Sequence, residues 1–556
     1  MGILDWIKAG IGRAPSAIGS PPSGLRSDFD GNSSQGHVPE ARAEIESALS
    51  RFPDNVDLNC RLGELLLESG DAAQALDLFN LALHYKNDSY AAYRGKTRAL
   101  EVLGRGSEAI AVADAYLEVC PGHAGASLHA AELNYRAGKH QAAIGILEPL
   151  VLRDPANRDA ANLLGLILGR EFGEFGRADE LLRRALSADP DWLPALVNLG
   201  WTLLEQGLYQ DGYAFIDRAL LVAPNDAEAR LVRACMKLKQ GEFSQGWRDY
   251  ASRHLSRFAT PSAHRFPQWR GEPLDGKTLL IHAEQGIGDQ IMFASCFGQA
   301  IALAKRTVIE CNPKLVTLFR RSFPDASIHA SPQDGLTPAW TLSAGGVDFQ
   351  IAMGELPGMF RNHWDDFPPH RGYLLADPEK VLQCKQRLLG LGEGFNLGVS
   401  WRGGVSTTRK HLRSMEVEQL LASLRPPVRA VSLQYGPVDS DLDQLRTRHG
   451  ISLLHWQDAI DDYDQTAALV CALDGVLSVC TAVVHLSGAL GRPAWVLAPV
   501  VTEWRYLDKG ERMPWYPSVR IIRQEKIGDW SGAIGVAMEM IAENMDGYTG
   551  RSLGRS

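Results

Sequence analysis

The first half of the chain repeats itself every 34 residues, and this period constrains the fold more than any other feature of the sequence. A small residue recurs at Ala75, Ala109, Ala143 and Ala178, and prolines close the units at Pro121, Pro155, Pro190 and Pro224. Glycines recur at Gly70, Gly104, Gly138, Gly207 and Gly241, with one extra residue that we place in the loop 171–176. Self-similarity at such a period is typical of repeat architectures, so the sequence predicts a stacked array of short units.

Units of 34 residues are the signature of tetratricopeptide repeats, in which each unit is a pair of helices. The units begin near Val56, Tyr90, Ala124, Arg158, Leu193 and Ala227. A half-repeat precedes them, with Gly36, Ala41 and Pro53 at the expected positions and a Ser/Gly/Pro-rich stretch in place of its first helix. Because stacked units form a concave groove, the array predicts a surface that holds a protein segment. A spacer or a dimerisation surface stays open as the alternative.

Residues 1–36 are predicted to form a flexible segment ahead of the repeat array, which we assign to 37–258. An apolar stripe in this segment is followed by a Pro/Gly/Ser-rich tether. The stripe consists of Ile3, Leu4, Trp6, Ile7 and Ile11. Such a terminus is ordinarily frayed, and a contact helix for a partner is the alternative.

Composition excludes several classes of function. The 57 lysines and arginines are outnumbered by 66 aspartates and glutamates. Because nucleic-acid binders carry a basic face, we expect no nucleic-acid partner. No apolar run approaches the roughly 18 residues of a transmembrane segment, and no signal peptide is evident, which predicts a cytoplasmic protein. The eight cysteines are scattered without a C-x-x-C pair, so we expect reduced thiols and no structural metal.

After Gly271 the helical period gives way to short apolar runs that alternate with amphipathic segments, a pattern typical of βαβ units. Strands are predicted at 278–283, 307–310, 396–401, 430–434, 475–479 and 494–498. The helix after the first strand is predicted to begin at Asp289, and a last helix covers 530–544. The sequence thus predicts an α + α/β protein, in which the helical solenoid is followed by two Rossmann-like lobes at 259–390 and 391–556.

Six ordered motifs in this half form a recognisable set. They occupy 282–290, 400–403, 432–434, 481–493, 503–505 and 514–517. Together with the repeats they resemble the bacterial tetratricopeptide-linked glycosyltransferases, including repeat-bearing flagellin glycosyltransferases. The catalytic part of these enzymes is similar to the ADP-heptose lipopolysaccharide heptosyltransferases. The resemblance implies a two-lobed GT-B fold, a nucleotide sugar as co-substrate, no cofactor or metal, and inversion at the anomeric carbon.

The loop before Asp289 contains two glycines and joins a strand to a helix. Its backbone amides at Gly286 and Gly288 can therefore face an oxygen-rich ligand. The resemblance implies that Asp289 is the general base, which takes a proton from the acceptor hydroxyl as that hydroxyl attacks the sugar. An N-terminal helix cap is the alternative for a carboxylate in the first turn.

A basic loop follows the strand predicted at 396–401. It contains Trp401, Arg402, Gly403, Arg409, Lys410 and Arg413. Open α/β sheets bind ligands at the carboxyl ends of their strands, so we expect these cations to stabilise the leaving nucleotide phosphate. The alternative is a solvated charged face, which is what a run of charges usually is.

The other motifs supply further expected contacts to the donor, namely Gln434, Thr481, Ala482, His485, Glu503, Trp504 and Arg505. Thr481 and Ala482 open a helix whose N-terminus can face an anion. His485 lies one turn later and is either a donor contact or a packed core residue. Trp504 and Trp515 either cover the donor or anchor the core.

Cys480 departs from the heptosyltransferase pattern, which has Asp immediately before the residue that is Thr481 here. A carboxylate at this position would repel a sugar that carries its own carboxylate. Its absence beside the basic loop therefore favours an anionic donor, such as a CMP-linked nonulosonic acid.

The sequence therefore predicts a glycosyltransferase whose repeat array holds a protein acceptor. The resemblance to flagellin glycosyltransferases indicates flagellin as the acceptor and a nonulosonic acid of the pseudaminic type as the sugar. Two alternatives stay open. One is transfer to a lipopolysaccharide or capsule intermediate, and the other is a non-catalytic scaffold with a degenerate transferase module.

Overall fold

The structure is a computed structural model that describes residues 38–255, 264, 266–331, 346–404 and 410–552. The predicted segment 1–36 and Arg409 lie outside the described residues. The chain divides into two compact units between Gln206 and Gly207. The domain boundaries predicted after residues 36, 258 and 390 stay predictions.

The first unit is a series of helices that follow the predicted repeats. They are Val38–Leu49, Val56–Glu68, Ala72–Tyr85, Tyr90–Val102, Gly106–Val119, Ala124–Arg136, His140–Arg153, Arg158–Ile167, Phe175–Ala188 and Leu193–Glu205. The glycines between paired helices, Gly70, Gly104 and Gly138, have φ angles of 91°, 73° and 76°. This left-handed conformation favours glycine at the end of a helix, which explains why the period is marked by glycine. The prediction of tetratricopeptide-like helical pairs is confirmed.

The recurring small residues of the array lie where its helices pack together. Ala75, Ala109, Ala143 and Ala178 are all fully buried. The distance between packed helices depends on the side chains at the contact, so alanine lets neighbouring helices approach closely. The recurring alanines therefore mark the positions where helices pack closely, whereas the recurring glycines mark the turns between helices.

The extra residue of the array is taken up within a helix. Residues Leu168–Phe172 form a π-helical turn directly after the helix Arg158–Ile167, and Gly173 ends this turn with a φ of 68°. A π turn closes i→i+5 hydrogen bonds and therefore accommodates one additional residue. The turn glycine of this unit is Gly173. This corrects the predicted place of the insertion, which was the loop 171–176.

The second unit begins with helices of the same repeat pattern, Tyr209–Val222, Ala227–Lys239 and Phe243–Tyr250. A 3₁₀ turn, Ala251–His254, continues the last of them. Trp247 and Tyr250 on this helix are buried. The end of the repeat pattern therefore belongs to the compact unit that also contains the sheets.

A four-stranded parallel sheet follows. Its strands are β1 (Thr278–His282), β2 (Arg306–Cys311), β3 (Ala326–Ala330) and β4 (Phe349–Ala352), in the spatial order β3-β2-β1-β4. Ile281 of the interior strand β1 pairs with Ile309 of β2 and with Ile351 of β4. The helices between these strands are Ile287–Phe293, Phe297–Leu303 and Val316–Ser322, and Leu356–Phe360 follows β4.

The seven-stranded sheet comprises the remaining strands in the order β10-β11-β9-β8-β5-β6-β7. They are β5 (Phe395–Ser400), β6 (Val428–Ser432), β7 (Leu454–His455), β8 (Gly475–Val479), β9 (Ala494–Ala498), β10 (Arg512–Met513) and β11 (Tyr516–Arg523). All pairs are parallel except β10 with β11. The accompanying helices are Pro378–Leu389, Val417–Leu421, Asp439–His449, Gln457–Asp461, Tyr463–Ala472, Ala482–Ala489 and Ser531–Ser552.

The prediction of parallel sheets with intervening helices is confirmed, and each predicted strand has a counterpart within one or two residues. The helix predicted to start at Asp289 begins two residues earlier, at Ile287, because Gly286 occupies the cap position. A 3₁₀ turn, Ala294–Cys296, then interrupts it. Within the described ranges, no helix is both long and apolar enough to cross a membrane.

Candidate functional site

The predicted site residues lie after the carboxyl ends of strands, and most of them follow β1, β5 or β8, which flank the places where the strand order reverses. In the four-stranded sheet this reversal falls between β1 and β4, and in the seven-stranded sheet between β5 and β8. Open α/β sheets bind ligands at such switch points. We name the segment 283–289 after β1 the Asp289 loop, and the segment 499–511 after β9 the Arg505 loop.

Asp289 is the third residue of its helix, and its two carboxylate oxygens have different partners. Oδ2 accepts a hydrogen bond of 3.2 Å from the backbone amide of Gly286. Oδ1 accepts two hydrogen bonds from Arg505, one of them from Nε at 2.7 Å. Asp289 is therefore a helix cap through one oxygen and an ion-pair partner through the other. The predicted helix cap is present, and it engages only Oδ2 of the carboxylate.

Arg505 lies in the 3₁₀ turn Trp504–Tyr506 and joins the two halves of the site. Its Nη1 also donates to Oε2 of Glu503, at 3.4 Å. Burial alone would lower the pKa of the Arg505 guanidinium, but the charges of Asp289 and Glu503 outweigh burial and raise it. A buried arginine with two carboxylate partners is fixed in position and stays charged.

Gly288 is where the Asp289 loop touches the seven-stranded half. A Cβ added at Gly288 would lie 3.0 Å from Cδ2 of His485 and 3.3 Å from Cα of Ala482. A larger side chain would therefore push the helix Ile287–Phe293 away from the helix Ala482–Ala489. Glycine is needed here for a close approach of two helices, and the predicted contact of Gly288 with the donor stays a prediction.

His485 is buried between two tyrosines. Its Nδ1 lies 3.2 Å from the hydroxyl of Tyr516, and its Nε2 lies 3.4 Å from the hydroxyl of Tyr506. Burial, assisted by the nearby charge of Arg505, lowers the pKa of His485 to about 3. The imidazole is therefore neutral at physiological pH, and both of its nitrogens face protein hydroxyls. This placement favours the packed core alternative.

Gln434 shapes the loop that follows β5. Its Oε1 accepts hydrogen bonds from the amides of Trp401, at 3.0 Å, and Arg402, at 2.8 Å. Its Nε2 donates to the carbonyls of Arg402 and Tyr435, both at 3.1 Å. The side-chain amide is thus fully engaged with backbone, and Gln434 acts on the loop conformation.

The basic residues of this loop fall into two groups. Arg402 pairs with Asp441 at 2.8 Å, and the indole nitrogen of Trp401 donates to the same carboxylate at 3.0 Å. Lys410 is exposed, and Arg413 is half-buried. The Nε of Arg413 is buried without a hydrogen-bond partner in the described part of the chain. Among the residues of this loop that the structure describes, Asp441 neutralises Arg402, and the positive charges that remain are those of Lys410 and Arg413.

Cys480 and Thr481 lie directly after β8. Thr481 caps its helix by accepting from the amide of Val483, at 3.3 Å, and its hydroxyl lies 2.9 Å from that of Ser478. Cys480 is buried, and burial raises the pKa of its thiol to about 12. A Cβ at Gly403 would lie 2.6 Å from the carbonyl oxygen of Cys480. Only glycine therefore lets the loop after β5 lie this close to the backbone of Cys480.

Trp504 and Trp515 are interior residues. Their rings are 6.3 Å apart, and the ring of Trp247, from the last repeat helix, lies 5.4 Å from that of Trp504. Both are almost completely buried, as the anchoring alternative requires. The role predicted for Trp504, covering the donor, stays a prediction.

Four residues for which the sequence predicts no role contribute to this region. They are Asp441, Tyr506, Tyr516 and Tyr250. Tyr516 lies in the motif 514–517, so its position was indicated although its role was not. No sequence signal marked Asp441. In the described part of the chain, no three His, Cys, Asp or Glu side chains lie close enough together to hold a metal ion.

Comparisons with known proteins define the class of the repeat region. Two tetratricopeptide repeat models match it, one at residues 34–100 and 170–235 and the other at 95–148 and 128–191. The chain thus contains tetratricopeptide repeats, which precede the two sheets. It is similar to Protein FlbA of Caulobacter vibrioides, with 27% identity over 491 residues, or 79% of this chain and 81% of FlbA.

Solved tetratricopeptide repeat structures also align with part of the chain. A protein from Parabacteroides merdae is 17% identical, and the alignment covers 41% of this chain and 89% of that protein, with a TM-score of 0.36. A thermophilic repeat protein of Thermus thermophilus, TTC0263, is 23% identical, with coverage of 36% and 100% and a TM-score of 0.28.

Proposed function

We propose that this protein is a glycosyltransferase that moves a sugar from a nucleotide-sugar donor to a protein acceptor held by its repeat array. The observation that carries the proposal is the contact of Asp289 with Arg505. One residue comes from the loop after β1, the other from the loop after β9. A candidate base beside the switch point of the four-stranded sheet thus meets a fixed cation from the other sheet, in the loop after β9.

The proposed fold of this region is GT-B. In support, both sheets contain the order expected of Rossmann-like lobes, β3-β2-β1-β4 in the first and β7-β6-β5-β8-β9 in the second. In this proposal the two lobes bind the acceptor and the donor respectively, and the reaction takes place where the Asp289 and Arg505 loops meet.

The proposed chemistry is a direct displacement. The acceptor hydroxyl gives its proton to Asp289 as its oxygen bonds to the anomeric carbon. The bond between that carbon and the donor phosphate breaks, and the nucleotide leaves with the electron pair. Lys410, which is exposed, and Arg413 stabilise the phosphate that is released.

We propose a donor sugar that carries a carboxylate. Position 480 holds a buried thiol whose raised pKa, about 12, keeps it neutral. Arg413 lies close enough for its charge to act on this thiol. A carboxylate at position 480 would occupy Arg413, whereas the thiol leaves the guanidinium for an anionic ligand. Titration of the protein should show binding of CMP-linked nonulosonic acids. Binding of ADP- or UDP-sugars alone would contradict this choice.

We propose flagellin as the acceptor. The resemblance to repeat-bearing flagellin glycosyltransferases supports this choice, and similarity to FlbA over most of the chain is compatible with a flagellum-related role. The test compares the intact mass of flagellin from the native bacterium with that from a strain lacking this gene. Loss of sugar-sized mass increments is expected. An unchanged mass would exclude flagellin and direct the search to lipopolysaccharide and capsule.

A non-catalytic scaffold is the second candidate, favoured by the fact that Arg505 already occupies one oxygen of Asp289. Complementation of the deleted strain separates the two. Asp289→Asn keeps an oxygen that accepts from Arg505 and removes the base. It should fail to restore the mass increments if the protein is an enzyme, and should restore them if it is a scaffold, in strains whose protein levels match. Asp275→Asn, at an exposed aspartate of the same region, is the matched control and should restore them in either case.

A further inference from the structure

We propose that Tyr250 and Arg253, at the end of the last repeat helix, are positioning residues that hold the Asp289 loop in place. This inference rests on the proposed function of Asp289. Both residues belong by sequence to the repeat pattern, yet their side chains contact the loop after β1 and lie in the same compact unit. The repeat pattern thus reaches into the site.

Arg253 fixes the first part of the loop. Its guanidinium donates to both oxygens of Glu284, from Nη2 at 2.6 Å and from Nε at 3.0 Å. Glu284 also accepts from the amide of Gly354, at 2.8 Å. Burial alone would raise the pKa of Glu284, but the charge of Arg253 outweighs burial and lowers it to about 2. A two-point ion pair with a buried arginine sets both the position and the direction of this side chain.

Tyr250 fixes the next residue. Its hydroxyl lies 3.0 Å from Nε2 and 3.3 Å from Oε1 of Gln285. Gln285 has a φ of 61°, in the left-handed region that residues other than glycine rarely adopt. Such a conformation persists only where the surroundings hold it. Gln285 precedes Gly286, whose amide donates to the carboxylate of Asp289, so fixing Gln285 also restrains the backbone that holds the candidate base.

Tyr250 also contacts the Arg505 loop. Its ring packs edge-on against that of Trp504, with ring centres 5.6 Å apart, and Trp504 immediately precedes Arg505. One buried tyrosine of the last repeat helix therefore contacts both loops that supply the Asp289–Arg505 ion pair. A displacement of reacting groups by about 1 Å costs about a hundredfold in rate. Loss of the Tyr250 contacts should therefore lower the rate of sugar transfer.

The test uses the full-length protein with Tyr250→Phe and Arg253→Gln. Phenylalanine keeps the ring against Trp504 and removes only the hydroxyl. The matched controls are Tyr213→Phe and Arg233→Gln in the two preceding repeat helices. Tyr213 bonds to Gln240 and Arg233 to Asp249, so neither contact reaches the loop. Sugar transfer is measured with varied donor and acceptor, and amide hydrogen exchange is measured for residues 284–293.

The positioning variants should lower kcat about tenfold or more, leave both KM values within about twofold, and speed exchange in 284–293. Arg253→Lys keeps the charge and should recover part of the loss in kcat. Unchanged kcat and exchange, or equal losses in the control variants, would overturn the inference. If the wild-type protein transfers no sugar, the proposed function fails, and hydrogen exchange alone still decides whether these residues hold the loop.

Discussion

Arg505 directs two hydrogen bonds to a single oxygen of Asp289, and the other oxygen receives the amide of Gly286. The residues are 216 positions apart in the chain. Since the side chains are only 7% and 10% exposed, each charge depends on the other to offset its loss of hydration. The ion pair therefore joins the four-stranded and seven-stranded halves at one point.

Arg505→Ala should destabilise the protein by about 3–5 kcal/mol, because it leaves the carboxylate of Asp289 buried without its counter-charge. Chemical denaturation of the full-length protein measures the free energy of unfolding. Arg446→Ala, which breaks an exposed pair with Asp443, is the control and should have little effect. Equal effects of the two substitutions would contradict the importance of the buried pair.

Gln434→Ala should cost about 1–3 kcal/mol, because the amides of Trp401 and Arg402 would lose their buried acceptor. Gln434→Glu should be at least as harmful, since a carboxylate cannot donate to the carbonyls of Arg402 and Tyr435. Thermal unfolding measures both effects. Gln419→Ala, at a glutamine nearby whose side chain is outside this network, should leave the melting temperature unchanged.

Local features of this fold could be predicted from the sequence, whereas most pairings in the site could not. The turn glycines could be predicted because a left-handed φ favours glycine at that one position, whatever residues surround it. Gly70 and Gly104 are examples. The turn glycine at Gly173 was missed because a π turn shifts it by one position. Six strands were predicted, among them β8 and β9, whose burial on both faces leaves continuous apolar runs. The strands β3, β4, β7, β10 and β11 were missed, and β3 and β7 are only partly buried.

The site shows the same contrast. Asp289 and Arg505 were each selected by their motifs, but their ion pair depends on how two distant loops meet, which no local pattern encodes. Asp441, which neutralises Arg402, lies in a polar helix that carries no motif. Tyr250 and Arg253 have the periodicity of ordinary repeat residues, so nothing in the sequence separates them from residues that only pack.

The protein should lose stability on acidification partly through His485. Burial holds the pKa of this imidazole at about 3 in the folded state, against about 6.5 in an unfolded chain. The unfolded state therefore binds the proton first, and stability that is complete above about pH 6.5 falls as the pH drops toward 3, by at most about 1.4 kcal/mol per pH unit. Urea unfolding from about pH 7 to 5 should show a smaller slope for His485→Gln. Equal slopes would contradict a buried neutral imidazole.

Gly403→Ala should destabilise the protein by about 1–3 kcal/mol, because its Cβ would lie 2.6 Å from the backbone oxygen of Cys480. The loop after β5 would have to move, so affinity for a nucleotide sugar should fall as well. Calorimetry measures both quantities. Gly535→Ala, at an open position in the helix Ser531–Ser552, should instead stabilise the protein slightly, by about 0.5–1 kcal/mol. Destabilisation by both would indicate a general intolerance to alanine.

The division of the chain between Gln206 and Gly207 limits how genes of this kind can recombine. A crossover at the end of the repeat pattern would replace Tyr250 and Arg253 and break their contacts to the loop before Asp289. A crossover near residue 206 would exchange the upstream repeats and keep those contacts. Selection among chimaeric genes should therefore favour junctions inside the array, which lets the upstream repeats and the region with the two sheets evolve at different rates within one polypeptide.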